Sequence, residues 1–160
     1  MTEPERIEPV RSTRPIEPVR KERQLPIEVD AAFRLFTAGM GTWWPLATHS
    51  IAGDEASGVR FEERLGGQVV ELAGEREYPW AEVAAWEPPV LVVLTWHPSV
   101  EVVAATTIEV RFEPVPGGSR LQLEHRDWEA FGEGLGTELR AGYEPGWDVV
   151  LAPFEARAAR

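Results

Sequence analysis

The chain of 160 residues is 43% hydrophobic, 27% charged and 9% aromatic, the size and apolar content of one compact domain. It contains no cysteine, which excludes a disulfide scaffold and any cysteine-ligated zinc or iron–sulfur site. Its net charge of −11 repels phosphate backbones and argues against a nucleic-acid partner.

The first eleven residues, MTEPERIEPVR, lack the basic region and apolar stretch of a signal peptide, and no apolar run approaches bilayer length, so a cytoplasmic protein without a membrane span is expected. Prolines 4, 9 and 15 and alternating charges predict an extended or disordered tail over residues 1–15, with a single domain over 16–160. The pentapeptide IEPVR occurs twice, at 7–11 and 16–20, too short a duplication for a repeat protein. Residues 19–27 read as a first strand. Residues 27–38 then read as a helix, with Val29, Ala32, Phe33 and Phe36 at helical spacing, Pro26 at its start and Gly39 at its end.

Six strands follow by pattern, over 59–65, 68–73, 78–86, 90–97, 106–114 and 119–128. Gly66-Gly67, Gly74, Pro88-Pro89 and Gly117-Gly118 punctuate them. Links this short force antiparallel pairing. Period-two alternation puts Phe61, Val83, Ala85, Val92, Leu94, Trp96, Ile108, Val110, Phe112, Leu121, Leu123 and His125 on one face. Glu82, Glu109, Arg111, Gln122 and Glu124 fall on the other. Residues 132–136, GEGLG, read as a flexible link able to gate a pocket. Residues 137–159 read as a long amphipathic helix carrying Leu139, Tyr143, Trp147, Val150, Leu151 and Phe154 on one face. Pro145 and Pro153 predict a kink or interruption in it. The sum is an α+β fold: a curved antiparallel sheet of six to seven strands around a C-terminal helix, with a cavity between them.

Four stretches, FRLFTAGMGTWWP, GGQVVELAGEREYPWAEVAAWEPPVLVVLTWHP, TTIEVRFEPVPGGSRLQLEHRDWEAF and YEPGWDVVLAPF, resemble the SRPBCC (START-like) superfamily, in the branch of homologues of the activator of the heat-shock-protein ATPase. The resemblance runs from about residue 19 to 154. It implies a helix-grip fold with an internal pocket, while superfamily members include lipid and hormone carriers as well as polyketide cyclases.

Seven tryptophans either fill the core or line the pocket. Trp86, Trp128 and Trp147 fit the locking of helix to sheet, Trp43 and Trp44 a place at the pocket entrance, and Trp80 and Trp96 strands of undetermined side. The expected ligand-binding set is Trp43, Trp44, Trp80, Trp96, Val83, Leu94, Leu123, His125 and Trp147. His125 and Glu71 are the acid/base candidates for a cyclase or dehydratase, the bland alternative being a structural hydrogen bond. His49, His97 and His125 stand in no metal-ligand spacing, so no metal or cofactor is expected, and Ser50 beside His49 is adjacency without the geometry of a nucleophile.

The leading expectation is a non-catalytic module binding a small apolar or aromatic molecule. A polyketide cyclase or dehydratase-like enzyme is the alternative. Co-regulation of a chaperone ATPase ranks below both, because the activators that give the branch its name carry a further partner-binding domain for which this chain has no room. A homodimer is left open: Lys21, Arg23 and Pro26 guard the first strand against uncontrolled edge pairing but do not prevent it.

Overall fold

The computed structural model describes residues 15–99, 101 and 104–160. The predicted tail, residues 1–15, therefore lies outside the described residues except for Pro15. Seven strands form one sheet: β1 (Val19–Leu25), β2 (Gly58–Phe61), β3 (Gln68–Ala73), β4 (Arg76–Glu87), β5 (Leu91–Trp96), β6 (Thr106–Val115) and β7 (Gly118–Arg126). Helix α1 (Val29–Phe36) follows β1, and α2 (Glu133–Ala158) closes the chain. The spatial order is β1-β7-β6-β5-β4-β3-β2, every neighbouring pair antiparallel. Only β1 leaves its neighbours in sequence, crossing to pair with β7. The result is a curled half-barrel gripping one long helix, the α+β helix-grip architecture expected.

Tight turns set this topology. Gly74 (φ 63°) turns β3 into β4 and Gly117 (φ 86°) turns β6 into β7, left-handed conformations that disfavour residues with a Cβ. Two β-bulges then reset the alternation along β4. Val69 pairs Ala81 while Val70 pairs Pro79, leaving Trp80 as an extra residue. Val83 pairs Leu94 while Ala85 pairs Val93, leaving Ala84 extra. The second bulge corrects the period-two reading, since Trp86, rather than Ala85, turns inward to meet Phe33 (ring centroids 5.1 Å apart) and Phe61 (6.0 Å).

Helix α2 begins earlier than predicted. The GEGLG segment forms its first turn instead of a link, with Gly136 buried and packed on the Trp128 carbonyl, where a Cβ would collide. The helix runs uninterrupted through Pro145 and Pro153. Each proline removes one donor, and the carbonyls four residues earlier belong to Ala141 and Val149, both exposed residues, so the lost bonds fall on the solvent side of the helix. Along its flank α2 is tied to β1. Lys21 reaches Glu144 (3.4 Å) and Asp148 (3.1 Å), and Arg23 reaches Asp148 (2.6 Å) and Glu155 (3.2 Å). Both basic side chains thus turn toward the helix rather than outward along the sheet edge. Hydrogen bonds from Lys21 and Arg23 hold the Asp148 carboxyl below the usual range.

The core divides into two ends. At the C-terminal end of α2, Phe33, Phe36, Trp43, Phe112 and Phe154 interlock, Phe36 meeting Phe154 at 5.6 Å and Trp43 meeting Phe154 at 5.0 Å. Toward the N-terminal half of the helix, beside Leu139, Gly142 and Gly146, a cavity opens between helix and sheet.

Candidate functional site

A cavity of about 370 Å³ lies between the N-terminal half of α2, the indoles of β4 and β5 and the segment after α1, a volume in the ordinary range for small-molecule sites, roughly 300–1,000 Å³. Trp44, Trp80, Trp96 and Trp147 wall it, together with Ile51, Leu139, Tyr143 and Val150. Trp44 is the hub, its ring 5.0 Å from Trp80, 5.9 Å from Trp96 and 6.2 Å from Trp147. Glu138, Gly142 and Gly146 form the helix side of the rim, with His49 and Ser50 also on the wall.

Each of these indoles has its N–H engaged within the protein. Trp44 donates to the His49 carbonyl (2.7 Å), Trp80 to Glu71 Oε1 (2.9 Å), Trp96 to the Tyr143 hydroxyl (3.0 Å) and Trp147 to His125 Nδ1 (3.0 Å). The rings consequently offer the cavity apolar surface, not donors. Ser50 donates to the Leu46 carbonyl (2.5 Å) and accepts from the Gly53 amide (2.9 Å), and His49 Nδ1 pairs with Thr48 (2.7 Å), so the two are not arranged as nucleophile and base.

Glu71 is fully buried and both its oxygens are occupied. Oε1 accepts from the Ile51 amide (2.7 Å) and from Trp80, Oε2 from the Ala52 amide (2.7 Å). It clamps the segment bearing Ile51 onto β3 from behind the wall. His125 is likewise fully buried behind the wall, among the rings of Trp128 (4.1 Å), Tyr143 (4.8 Å) and Trp147 (5.9 Å). Because an indole only donates, the bond from Trp147 requires an unprotonated Nδ1, so Nε2 carries the proton and gives it to Thr106 Oγ1 (2.7 Å). Burial pushes the His125 pKa down to about 3 and keeps the ring neutral. Glu71 and His125 do not meet across the cavity. Each holds other wall residues in place.

Of the expected ligand set, Trp44, Trp80, Trp96 and Trp147 line the cavity, whereas Trp43, Val83, Leu94, Leu123 and His125 lie in the surrounding core. Trp43 faces Phe36 and Phe154 and donates to the Leu35 carbonyl (2.7 Å). Sequence reasoning counted Tyr143 among the apolar helix positions and passed over its hydroxyl, although no other residue of that helix stripe carries one. Among the described residues no group of three His, Asp or Glu side chains forms a candidate metal site, and no helix is long and apolar enough to cross a membrane.

The family model for Activator of Hsp90 ATPase homolog 1-like proteins matches residues 27–159. The chain belongs to this family. Solved structures similar to this AHSA1-like chain include protein MLL2253 of Mesorhizobium loti, at 18% identity and TM-score 0.61, covering 88% of this chain and 95% of that one. An AHSA1-like protein of Aeromonas hydrophila is 16% identical with TM-score 0.60, covering 87% and 90%. The anthrahydroquino-gamma-pyrone synthase Txn09, solved as a complex, is 27% identical with TM-score 0.61, covering 89% of this chain and 97% of its own. No curated protein matches the AHSA1-like chain by sequence.

Proposed function

We propose that this AHSA1-like domain binds a small, flat, largely apolar aromatic molecule in the cavity between sheet and α2. The observation that carries this reading is a 370 Å³ space walled by Trp44, Trp80, Trp96 and Trp147, whose N–H groups are already spent on the protein and whose rings, packed largely on one another, leave an apolar lining for a guest. Affinity on this reading comes from burying aromatic surface.

The test is titration with planar aromatic compounds, read by quenching of tryptophan emission and by native mass spectrometry. Saturable quenching with one molecule bound per chain is expected. Unchanged emission and a bare mass at ligand concentrations up to the solubility limit would remove the reading.

A second reading, cyclisation or dehydration of a polyketide-like aromatic, draws support from the likeness to the gamma-pyrone synthase. On that reading proton transfer falls to groups on the wall, Tyr143 and His49, because Glu71 and His125 are saturated behind it. Turnover of an aromatic polyketide chain by the wild-type chain that is lost in Tyr143→Phe even at saturating substrate would favour it over simple carriage.

A further inference from the structure

The polar groups on the cavity wall divide sharply by what they still have to offer. Ser50 has given its proton to Leu46, and the four indoles have given theirs to His49, Glu71, Tyr143 and His125. His49 is half-buried and paired to Thr48 through Nδ1, and Glu138 is exposed at the rim. His49 keeps Nε2 without a partner among the described residues, and the second such group is Tyr143, set on α2 against the indoles. Its oxygen accepts the Trp96 N–H at 3.0 Å, and an indole can only donate, so one lone pair of the phenol is committed while its own proton finds no acceptor among the described residues.

We propose that Tyr143 selects the ligand by donating its hydroxyl proton to a neutral oxygen acceptor on the guest, so that the preferred guest is an aromatic ketone or quinone rather than a plain hydrocarbon or a carboxylate. The inference deepens the binding reading above and rests on it. Three observations fix the class. With one lone pair taken by the Trp96 N–H, the phenol still has its proton to give, which matches a carbonyl oxygen. Burial pushes the Tyr143 phenol up from its ordinary value, so the proton stays on the oxygen at neutral pH. The wall holds no lysine or arginine to neutralise an anion and carries the Glu138 carboxylate at its rim, which excludes a carboxylate guest on electrostatic grounds.

Fluorenone and fluorene make the test, being nearly the same shape and differing by one carbonyl oxygen. The wild-type chain is expected to bind fluorenone roughly tenfold more tightly, the ratio corresponding to one well-placed hydrogen bond. Tyr143→Phe should reduce that ratio to within about twofold by weakening fluorenone alone, and Gly146→Leu, which places a side chain into the cavity, should abolish both. The infrared carbonyl stretch of bound fluorenone gives a second readout that needs no variant, and it is expected to move to lower frequency than in an apolar solvent.

Equal affinity for the two compounds with an unshifted carbonyl stretch, both lost in Gly146→Leu, would overturn the role of Tyr143 and leave the cavity reading standing. A preference that persists in a folded Tyr143→Phe chain would also overturn it. Failure of both compounds to bind the wild-type chain would overturn the cavity reading for planar aromatics and this inference with it.

Discussion

Trp147 on α2 donates its indole proton to Nδ1 of His125 on β7 across 3.0 Å, in a buried place where burial itself keeps the histidine neutral. Protonating Nδ1 would set two donors against each other in a buried place whose other neighbours are Thr106, Trp128 and Tyr143, none of them anionic. The folded pKa of about 3 lies below the unfolded 6.5, so the unfolded chain binds the extra proton between those values. Stability from this group is therefore complete above about pH 6.5 and is lost as pH falls toward 3, with a slope approaching 1.4 kcal/mol per pH unit, of order of magnitude only.

Denaturant melts from pH 7.5 to 4 should show that decline in the wild-type chain and a shallower one in His125→Phe. At pH 7.5 the variant should be less stable by about 1–3 kcal/mol, because Trp147 and Thr106 lose their partner. Identical slopes would mean that other groups govern the acid limb.

Glu71 holds the Ile51 and Ala52 amides, and its removal leaves two backbone donors and the Trp80 N–H without an acceptor. Glu71→Ala, which removes both acceptor oxygens, should cost about 2–3 kcal/mol or more and should speed hydrogen exchange at the Ile51 and Ala52 amides beyond the global change. Exchange at those two amides that merely follows the rest of the molecule would show that the clamp is not local.

Glycines within α2 face opposite circumstances. A Cβ at Gly142 or Gly146 meets nothing within 4 Å, whereas one at Gly136 runs into the Trp128 carbonyl. Gly142→Ala should raise stability by up to about 1 kcal/mol through helix propensity. Gly136→Ala should lower it by more than that gain, since backbone must shift to admit the methyl group. Thermal melts of the two variants, moving in opposite directions, check the assignment.

The two ends of the core should respond differently to volume changes. Phe154→Ala, in the filled end, should cost about 3–5 kcal/mol, while Gly146→Leu, at the open end, should change stability by less than about 1 kcal/mol. Comparable losses in the two variants would contradict an empty cavity beside Gly146.

Much of the architecture was legible because short glycine turns leave antiparallel pairing as the sole choice and because the apolar period of α2 is long. The bulges at Trp80 and Ala84 were not legible, since an extra residue leaves no mark in composition, and one of them exchanged the inward roles of Ala85 and Trp86. The tryptophans of the site could be named, but not their state. Whether an indole proton is free depends on acceptors far away in sequence, such as Glu71 for Trp80 and Tyr143 for Trp96. For the same reason the buried carboxylate and imidazole looked like an acid/base pair: alternation placed His125 on the inward face and left the side of Glu71 undetermined between two apolar faces, and it said nothing of the amides, indoles and hydroxyl that saturate them.

The division of labour along α2 has an evolutionary consequence. Phe36, Trp43, Phe112 and Phe154 lock the C-terminal part of the helix, and the Glu144, Asp148 and Glu155 pairs with β1 tie its flank, while Leu139, Gly142 and Gly146 face the cavity. Substitutions at Leu139, Gly142 and Gly146 can alter shape and polarity of the chamber while the anchorage at the far end, and the Tyr143 and Trp147 bonds to the sheet, keep the domain folded. A scaffold organised in this way can be retuned to new guests in single steps, each viable on its own.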